Sequence, residues 1–298
     1  MAYLLQQLAN AIPLAALYAA LAFGYAIAFA VTKRADITYG AIFAFSGHLY
    51  LLIAHIGWDR FWLILPAALA MGAMVALIGG VGAGATVGQL VMRPLAKVSP
   101  NAMIVASLGV LMVLMEGARL ASDTRELWLP PFLNRVVVFW RGGGFPVTLT
   151  LIQLINVAIM LAMIVAGTFV LSHTRWGRIW RAVADDPLAA ELAGTNSARV
   201  FVTAYVSAAL FASICGVLAT SHYGTMDFGA GLLFGLKVVL IAAAGGHSNP
   251  LRSAAGAAVI GFAETLWSGY GPIVWRDLVI VSALVAVLVM SRRERVVP

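Results

Sequence analysis

Apolar residues in this chain are grouped in long uninterrupted runs, separated by short polar segments. A helix needs about 20 mainly apolar residues to cross the roughly 30 Å hydrocarbon core of a bilayer. Nine runs are candidates for such helices: 9–31, 37–56, 62–88, 101–121, 147–171, 200–220, 230–244, 253–270 and 274–290. The runs do not alternate polar with apolar residues, as the strands of membrane barrels do. The pattern therefore predicts an all-α fold, a polytopic transmembrane helix bundle with eight or nine spans.

The seventh run, 230–244, leaves the count at eight or nine. It is short and contains Gly231 and Gly235, so it is compatible with a full span and with a re-entrant helix. Composition agrees with a membrane protein, because 62% of the 298 residues are hydrophobic and 10% are charged. An ordinary soluble domain has about 25% charged residues. These values exclude a soluble enzyme and predict one transmembrane domain over 1–298.

The basic residues orient the bundle, because Lys and Arg concentrate in cytoplasmic loops. With the N-terminus outside and the C-terminus inside, twelve of the 19 Lys and Arg residues lie on the cytoplasmic side: Lys33, Arg34, Arg93, Lys97, Arg175, Arg178, Arg181, Arg199, Arg252, Arg292, Arg293 and Arg295. The opposite orientation reverses the ratio, so N-out/C-in is predicted. The net charge of +7 then follows from topology and requires no nucleic-acid partner. Two long loops result, 122–146 outside and 172–199 inside.

The inner loop holds the densest polar stretch of the chain. Arg175, Arg178 and Arg181 are spaced to share one face of a helix. Two acidic residues, Asp185 and Asp186, precede a proline, which is typical of a helix start. A short helix over 188–193 is expected, with Gly194 as its terminator. The residues alone are equally compatible with a basic patch facing anionic lipid and with a docking helix for a cytoplasmic partner.

Four charged residues fall within or near the apolar runs and form two candidate ion pairs. Glu116 and Arg119 lie one helical turn apart, and Lys237 and Glu264 can pair between neighbouring spans. A charge inside the membrane costs roughly 2.5–3.5 kcal/mol on insertion scales, so each needs a partner or a watery lining. Mutual neutralisation is one interpretation, and a proton or ion relay is the other.

Catalytic and metal-binding patterns are nearly absent from the sequence. The five histidines have no metal-ligand spacing, and the single cysteine, Cys215, excludes a thiolate metal site. A nucleotide-binding P-loop requires Gly-Lys followed by Ser or Thr, and none of Lys33, Lys97 and Lys237 follows a glycine. We therefore expect no enzymatic activity, no metal and no cofactor on this chain.

The polar landmarks together resemble a known family. They run from Arg175-Trp176-Gly177-Arg178 through Lys237 to Gly261-Phe262-Ala263-Glu264, and they are joined by Arg93-Pro94 and Leu129-Pro130. This order resembles the permease subunits of branched-chain amino-acid ABC importers, specifically the shorter of the two paired permeases. The resemblance covers nearly the whole chain, and the stretch from Thr174 to Gly194 is its most specific part.

The resemblance implies partners and a set of coupling residues. A periplasmic substrate-binding protein, a second permease subunit and two cytoplasmic ATPase subunits are expected, in the lipid of a bacterial inner membrane. ATP and Mg²⁺ would be bound by the ATPase subunits. The docking segment of the family maps onto seven residues here: Arg175, Gly177, Arg178, Arg181, Asp185, Ala190 and Gly194.

The sequence departs from the family at two membrane breaks. The usual Asn-Phe-Ala-His-Gly-Glu is replaced here by residues 36–41, Asp-Ile-Thr-Tyr-Gly-Ala, and the usual Gly-Gly-Ile-Gly-Ser loop by residues 245–252. Substrate is therefore open between branched-chain amino acids and urea, short amides or aromatic acids. An ion-coupled secondary transporter using Glu116 or Glu264 is the alternative mechanism. Polar residues assigned to the substrate pathway are Tyr39, Gly40, Ser46, Ser107, Thr203 and Ser207.

Overall fold

A computed structural model describes residues 2–96, 99–142, 145–244 and 249–292, and they form a helical bundle. The helices are α1 Ala2–Thr32, α2 Thr38–Asp59, α3 Leu65–Thr86, α4 Arg93–Leu95, α5 Pro100–Ala121, α6 Leu151–His173, α7 Arg175–Asp185, α8 Pro187–Leu192, α9 Ser197–Tyr223, α10 Ala230–Ala244, α11 Pro250–Tyr270 and α12 Arg276–Arg292. A π-helical turn, Val87–Met92, joins α3 to α4, and a 3₁₀ turn, Ile273–Trp275, precedes α12.

Six helices of the described residues are long and apolar enough to cross a membrane. They are Tyr3–Thr32, Thr38–Asp59, Leu65–Leu95, Asn101–Ala121, Leu151–His173 and Ser197–Tyr223. They correspond to the first six predicted runs, and the remaining three runs are the shorter or more polar helices α10, α11 and α12. The polytopic helical bundle is thus confirmed, whereas eight or nine spans and the N-out/C-in orientation stay predictions.

The centre of the bundle consists of α1, α2 and α9, with α11 packed along α1. Small residues allow these helices to approach closely, as is usual in membranes, where apolar side chains gain nothing by leaving lipid. A Cβ added to Gly261 of α11 would lie 2.6 Å from the Cα of Ala15 in α1. In contrast, α3, α5 and α6 are mostly exposed and apolar, which suits lipid-facing positions.

The segment between α5 and α6 contains a β-hairpin, which corrects the all-α prediction locally. Strands β1 Val136–Gly142 and β2 Phe145–Thr150 pair antiparallel. Helix α6 consequently begins at Leu151 and not at residue 147, and Gln153 Oε1 caps its start by accepting from the Thr150 backbone N–H at 2.9 Å. The apolar side chains of β2 continue without a break into those of α6, so the run gave no sign of the boundary.

Gln6 attaches this hairpin to α1. Its amide nitrogen donates to the Thr148 carbonyl at 2.9 Å, and its amide oxygen accepts from the Thr148 backbone N–H at 2.8 Å. On the same strand, Val147 and Leu149 are buried. The hairpin is therefore part of the packed bundle and not a free loop.

Candidate functional site

The most distinctive polar feature is the segment 175–194, formed by α7 and α8, which we call the α7–α8 segment. Its first helix is capped by Thr174, whose hydroxyl accepts from the Gly177 N–H at 3.2 Å. Helix α7 is strongly amphipathic. Arg175, Arg178 and Arg181 are exposed, and none of them forms an ion pair within the described part of the chain.

Three membrane helices hold the buried face of α7. The Trp180 indole N–H donates to the Ile27 carbonyl of α1 at 3.0 Å, and the Trp176 indole N–H donates to the Thr203 hydroxyl of α9 at 3.1 Å. Gly177 crosses the end of α6 so closely that a Cβ would overlap the Leu171 carbonyl. The segment is therefore attached to α1, α6 and α9 together.

Helix α8 is short but precisely bounded. Asp186 caps it, with its carboxylate accepting from the N–H groups of Leu188 and Ala189 at 2.9 and 3.1 Å. At the other end Gly194 adopts φ of +85°. Its N–H and that of Thr195 close a Schellman motif on α8.

One side chain of α8 is buried, and the others are exposed. Ala190 is buried, whereas Leu188 and Leu192 are exposed. Asp185 ends α7 and is not in the first turn of the next helix, because Asp186 separates the two helices. The segment thus presents arginines on α7 and leucines on α8 that the described residues leave exposed.

A second polar group, the buried charge cluster, lies between α1, α10, α11 and α12. Lys237 Nζ is 2.9 Å from Glu264 Oε1 and 2.9 Å from Asp277 Oδ1. Tyr18 donates its hydroxyl to Glu264 Oε2 at 2.8 Å, and Arg276 Nε is 3.6 Å from Glu264 Oε1. Two basic and two acidic side chains balance in formal charge; Lys237 and Glu264 are buried, and Arg276 and Asp277 lie at the more exposed edge of the cluster.

The other charge pair lies in a different environment. Glu116 and Arg119 form an ion pair within α5, and both side chains are about half exposed. Their helix is peripheral, so this pair does not contribute to the interior of the bundle.

The structure does not gather the six pathway residues into one group. Ser46 of α2 donates to Ser213 of α9 at 3.1 Å, while Ser107 is buried in α5 and donates to the Ile104 carbonyl at 2.8 Å. Among hydrogen bonds of the described residues, only the one from Ser207 to the Thr203 carbonyl joins two of the six.

The remaining two pathway residues are adjacent on α2. A Cβ on Gly40 would overlap Gly231 and Gly235 of α10, so this glycine permits helix packing. Tyr39 lines a small cleft beside Tyr25 and Tyr205. The assignment of all six to a substrate pathway remains a prediction, and residues 245–248 of the second membrane break lie outside the described residues.

Sequence reasoning missed several residues that the structure places at these sites. Trp176 and Trp180 are four positions apart on α7 and share the buried face with Val183 and Ala184. That helical spacing was the signal that could have found them. Asp277 and Arg276 gave no such signal, because they lie at the start of the last apolar run, which is separate in sequence from Lys237 and Glu264. Among the described residues, no group of three or more His, Cys, Asp or Glu could hold a metal ion.

The fold and these contacts define a class, the polytopic helical membrane proteins with a firmly attached polar segment between two spans. Within that class the chain belongs to the family of permease components of branched-chain amino acid transport systems, whose family model matches residues 7–288. No solved structure matches the chain.

Curated relatives are similar over most of their length. The high-affinity branched-chain amino acid transport system permease protein LivH of Escherichia coli K12 is 26% identical over 97% of this chain and 94% of its own. BraD of Pseudomonas aeruginosa, a permease of the same description, is 25% identical over 95% and 92%. The ribose import permease RbsC of Escherichia coli K12 is 25% identical over 89% and 79%. These relatives are transport permeases and not enzymes.

Proposed function

We propose that this chain is the membrane-spanning permease subunit of an ABC importer, driven by ATP hydrolysis on separate subunits. It moves a small amino-acid-like solute from the periplasm to the cytoplasm. The α7–α8 segment carries this proposal, because it combines an uncovered polar and apolar surface with attachment to three membrane helices. A rigid element of this kind can transmit the movement of a bound ATPase subunit to the bundle.

The contacts of the segment support this role in two steps. Exposed Leu188 and Leu192 offer apolar anchors for a groove on the partner, and the unpaired arginines on α7 offer charge complementarity. A displacement of α7 would act on α1 through Trp180 and on α9 through Trp176. Both of those helices belong to the centre of the bundle.

The remaining partners follow from family membership. A second permease subunit would complete the pathway, and a periplasmic binding protein would deliver the solute to the side of the 122–146 loop. In this arrangement the N-terminus would lie outside and the C-terminus inside, with eight or nine spans. ATP and Mg²⁺ would be held by the ATPase subunits alone.

A branched-chain amino acid is the leading substrate, because LivH and BraD are described as branched-chain amino acid permeases. Similarity to a ribose permease shows that relatives with a comparable sequence serve different solutes. Urea, short amides and aromatic acids are therefore the competitors to compare.

Reconstitution in proteoliposomes tests the proposal. The chain would be co-purified with the transport subunits encoded beside its gene, and uptake of labelled leucine or isoleucine would be measured. We expect uptake to require ATP and the binding protein and to persist with a protonophore. Uptake that continues without ATP and collapses with the protonophore would instead establish a secondary transporter. Competition by unlabelled urea, amides and aromatic acids would then define the substrate.

The neutral cluster around Glu264 favours ATP-driven transport over the ion-coupled alternative. Glu264 is held by Lys237 and Tyr18, which stabilises its charge within the bundle. Glu116 is paired with a residue of its own helix on an exposed face. Neither arrangement has the continuity that a proton or ion relay requires.

A further inference from the structure

The junction between α1 and α2 contains a buried acid that the proposed function does not use. Asp36 lies two residues before α2 and is 6% exposed. Its Oδ1 accepts from the Thr38 N–H at 2.9 Å, and its Oδ2 accepts from the Tyr205 hydroxyl of α9. The Asp36 N–H donates to the Tyr25 hydroxyl of α1 at 3.2 Å. The acid thus joins three helices at one point.

No cation neutralises this carboxylate within the described residues. Arg34 lines the same cleft, yet Asp36 forms no ion pair within 4.0 Å. Burial raises the pKa of Asp36, although hydrogen bonds from Tyr205 and Thr38 oppose the change. Leaving a single charge unpaired in a low-dielectric interior is costly.

One hydroxyl beside the acid is also incompletely used. Thr38 Oγ1, two residues along the chain, is buried and has no hydrogen-bond partner, whereas the Tyr39 hydroxyl is directed toward Gly24 of α1. The cleft that Tyr39 and Asp36 line has a volume of about 10 Å³, which is near the size of a single water molecule. Oxygen ligands of this kind suit small hard cations, and the space excludes an amino acid or a larger amine.

We propose that the Asp36 site binds one small monovalent cation, either a proton or a sodium ion. A proton would add to a carboxylate oxygen and give a neutral carboxylic acid, whereas sodium would be held by the carboxylate and the neighbouring hydroxyl oxygens. The groups that face it are Tyr25 from α1, Arg34 from the junction, Tyr39 from α2 and Tyr205 from α9. Either cation removes the unpaired charge.

The Asp36 site contacts α9, so its occupancy affects the packing of the bundle. Tyr205 belongs to α9, which also receives the Trp176 hydrogen bond from α7 through Thr203. Occupancy of the site therefore changes the strength of the contact between the α1–α2 junction and the helix that carries the α7–α8 segment. This inference rests on the described contacts and is independent of the proposed ABC mechanism.

A purely structural role for Asp36 makes a different prediction. Oδ1 satisfies a free N–H at the start of α2, a task that asparagine performs equally well. The variant Asp36→Asn keeps this acceptor and removes the charge. A comparison of this variant with wild type therefore distinguishes a capping role of Asp36 from cation binding.

Thermal unfolding of the purified full-length chain in detergent tests the site, with wild type and Asp36→Asn compared from acidic to neutral pH in sodium or choline chloride. A folded-state pKa above the unfolded value contributes stability at low pH that is lost as pH rises through it. For a proton, the midpoint of wild type relative to Asp36→Asn should thus fall as pH rises. For sodium, replacing choline should raise the wild-type midpoint at neutral pH and leave the variant unchanged.

Two further variants keep the test decisive. Asp59→Asn removes an exposed acid at the other end of α2 and should reproduce neither effect. Tyr205→Phe removes a donor to the carboxylate, so it should move the proton-dependent transition to higher pH; it remains informative if Asp36→Asn fails to fold. A difference between wild type and Asp36→Asn that depends on neither pH nor sodium would overturn the proposal.

Discussion

The α7–α8 segment and the buried charge cluster use charged residues in opposite ways. In the segment, Arg175, Arg178 and Arg181 are exposed and form no ion pair with described residues. In the cluster, Lys237 and Glu264 are enclosed and compensate each other. The ion-paired charges of the cluster connect helices within the bundle, whereas the exposed arginines of the segment are available to a partner. The comparison separates residues needed for folding from residues needed for assembly.

The largest expected effect comes from breaking the cluster. Lys237→Met leaves Glu264 buried without its closest cation, and breaking a buried pair in this way costs about 3–5 kcal/mol. We expect a sharp loss of folded protein, measured as yield and as the midpoint of thermal unfolding in detergent.

Two variants sharpen this prediction. Adding Glu264→Gln to Lys237→Met removes the uncompensated charge and should restore part of the stability. Arg119→Met breaks the half-exposed pair on α5 and serves as the control, with a smaller expected loss because the bundle does not enclose this pair. Equal losses for Lys237→Met and Arg119→Met would refute the distinction between the two pairs.

An intermediate effect is expected where the segment meets the bundle. Gly177→Ala places a methyl group against the Leu171 carbonyl, and overpacking of this kind costs about 1–3 kcal/mol. We expect a lower unfolding midpoint and weaker ATP-dependent uptake, because α7 is displaced from α6. Gly82→Ala in α3 is the matched control, since nothing lies within 4 Å of an added Cβ there. A loss of the same size in both variants would contradict the close contact.

The smallest effect on stability is expected for Arg178→Glu. Its side chain is exposed and forms no ion pair with the residues that the structure describes, and surface substitutions usually change stability by less than about 0.5 kcal/mol. The unfolding midpoint should stay unchanged while the ATPase subunits co-purify less well. Reduced stability with full co-purification would place Arg178 among the folding residues instead.

The apolar runs predicted the helices because membrane helices need length and hydrophobicity, which are properties of a contiguous stretch. They could not predict β2, whose Val147 and Leu149 are as apolar as the α6 residues that follow. The difference depends on a partner strand, β1, and on contacts of Thr148 with Gln6, which is far away in sequence.

The two candidate sites differ in the same way, because one is continuous in sequence and the other depends on contacts between distant residues. Residues of α7 and α8 lie in one continuous stretch, so their arginine spacing, the proline and Gly194 were visible in the sequence. The pathway residues depend on contacts between distant elements, such as Ser46 with Ser213. A single sequence contains no information on which distant helices meet, so the hydrogen bond from Trp176 to the Thr203 hydroxyl could not be predicted.

The most direct test of the central claim is ATP-dependent uptake in proteoliposomes that contain Leu188→Asp together with its partner subunits. Leu188 is exposed on α8, so the charge should leave the bundle folded while preventing the ATPase subunit from docking. Leu133→Asp, at an exposed position between α5 and α6, is the control. We predict that Leu188→Asp folds normally but loses ATPase co-purification and uptake, while Leu133→Asp retains both. Full uptake by Leu188→Asp would contradict the account.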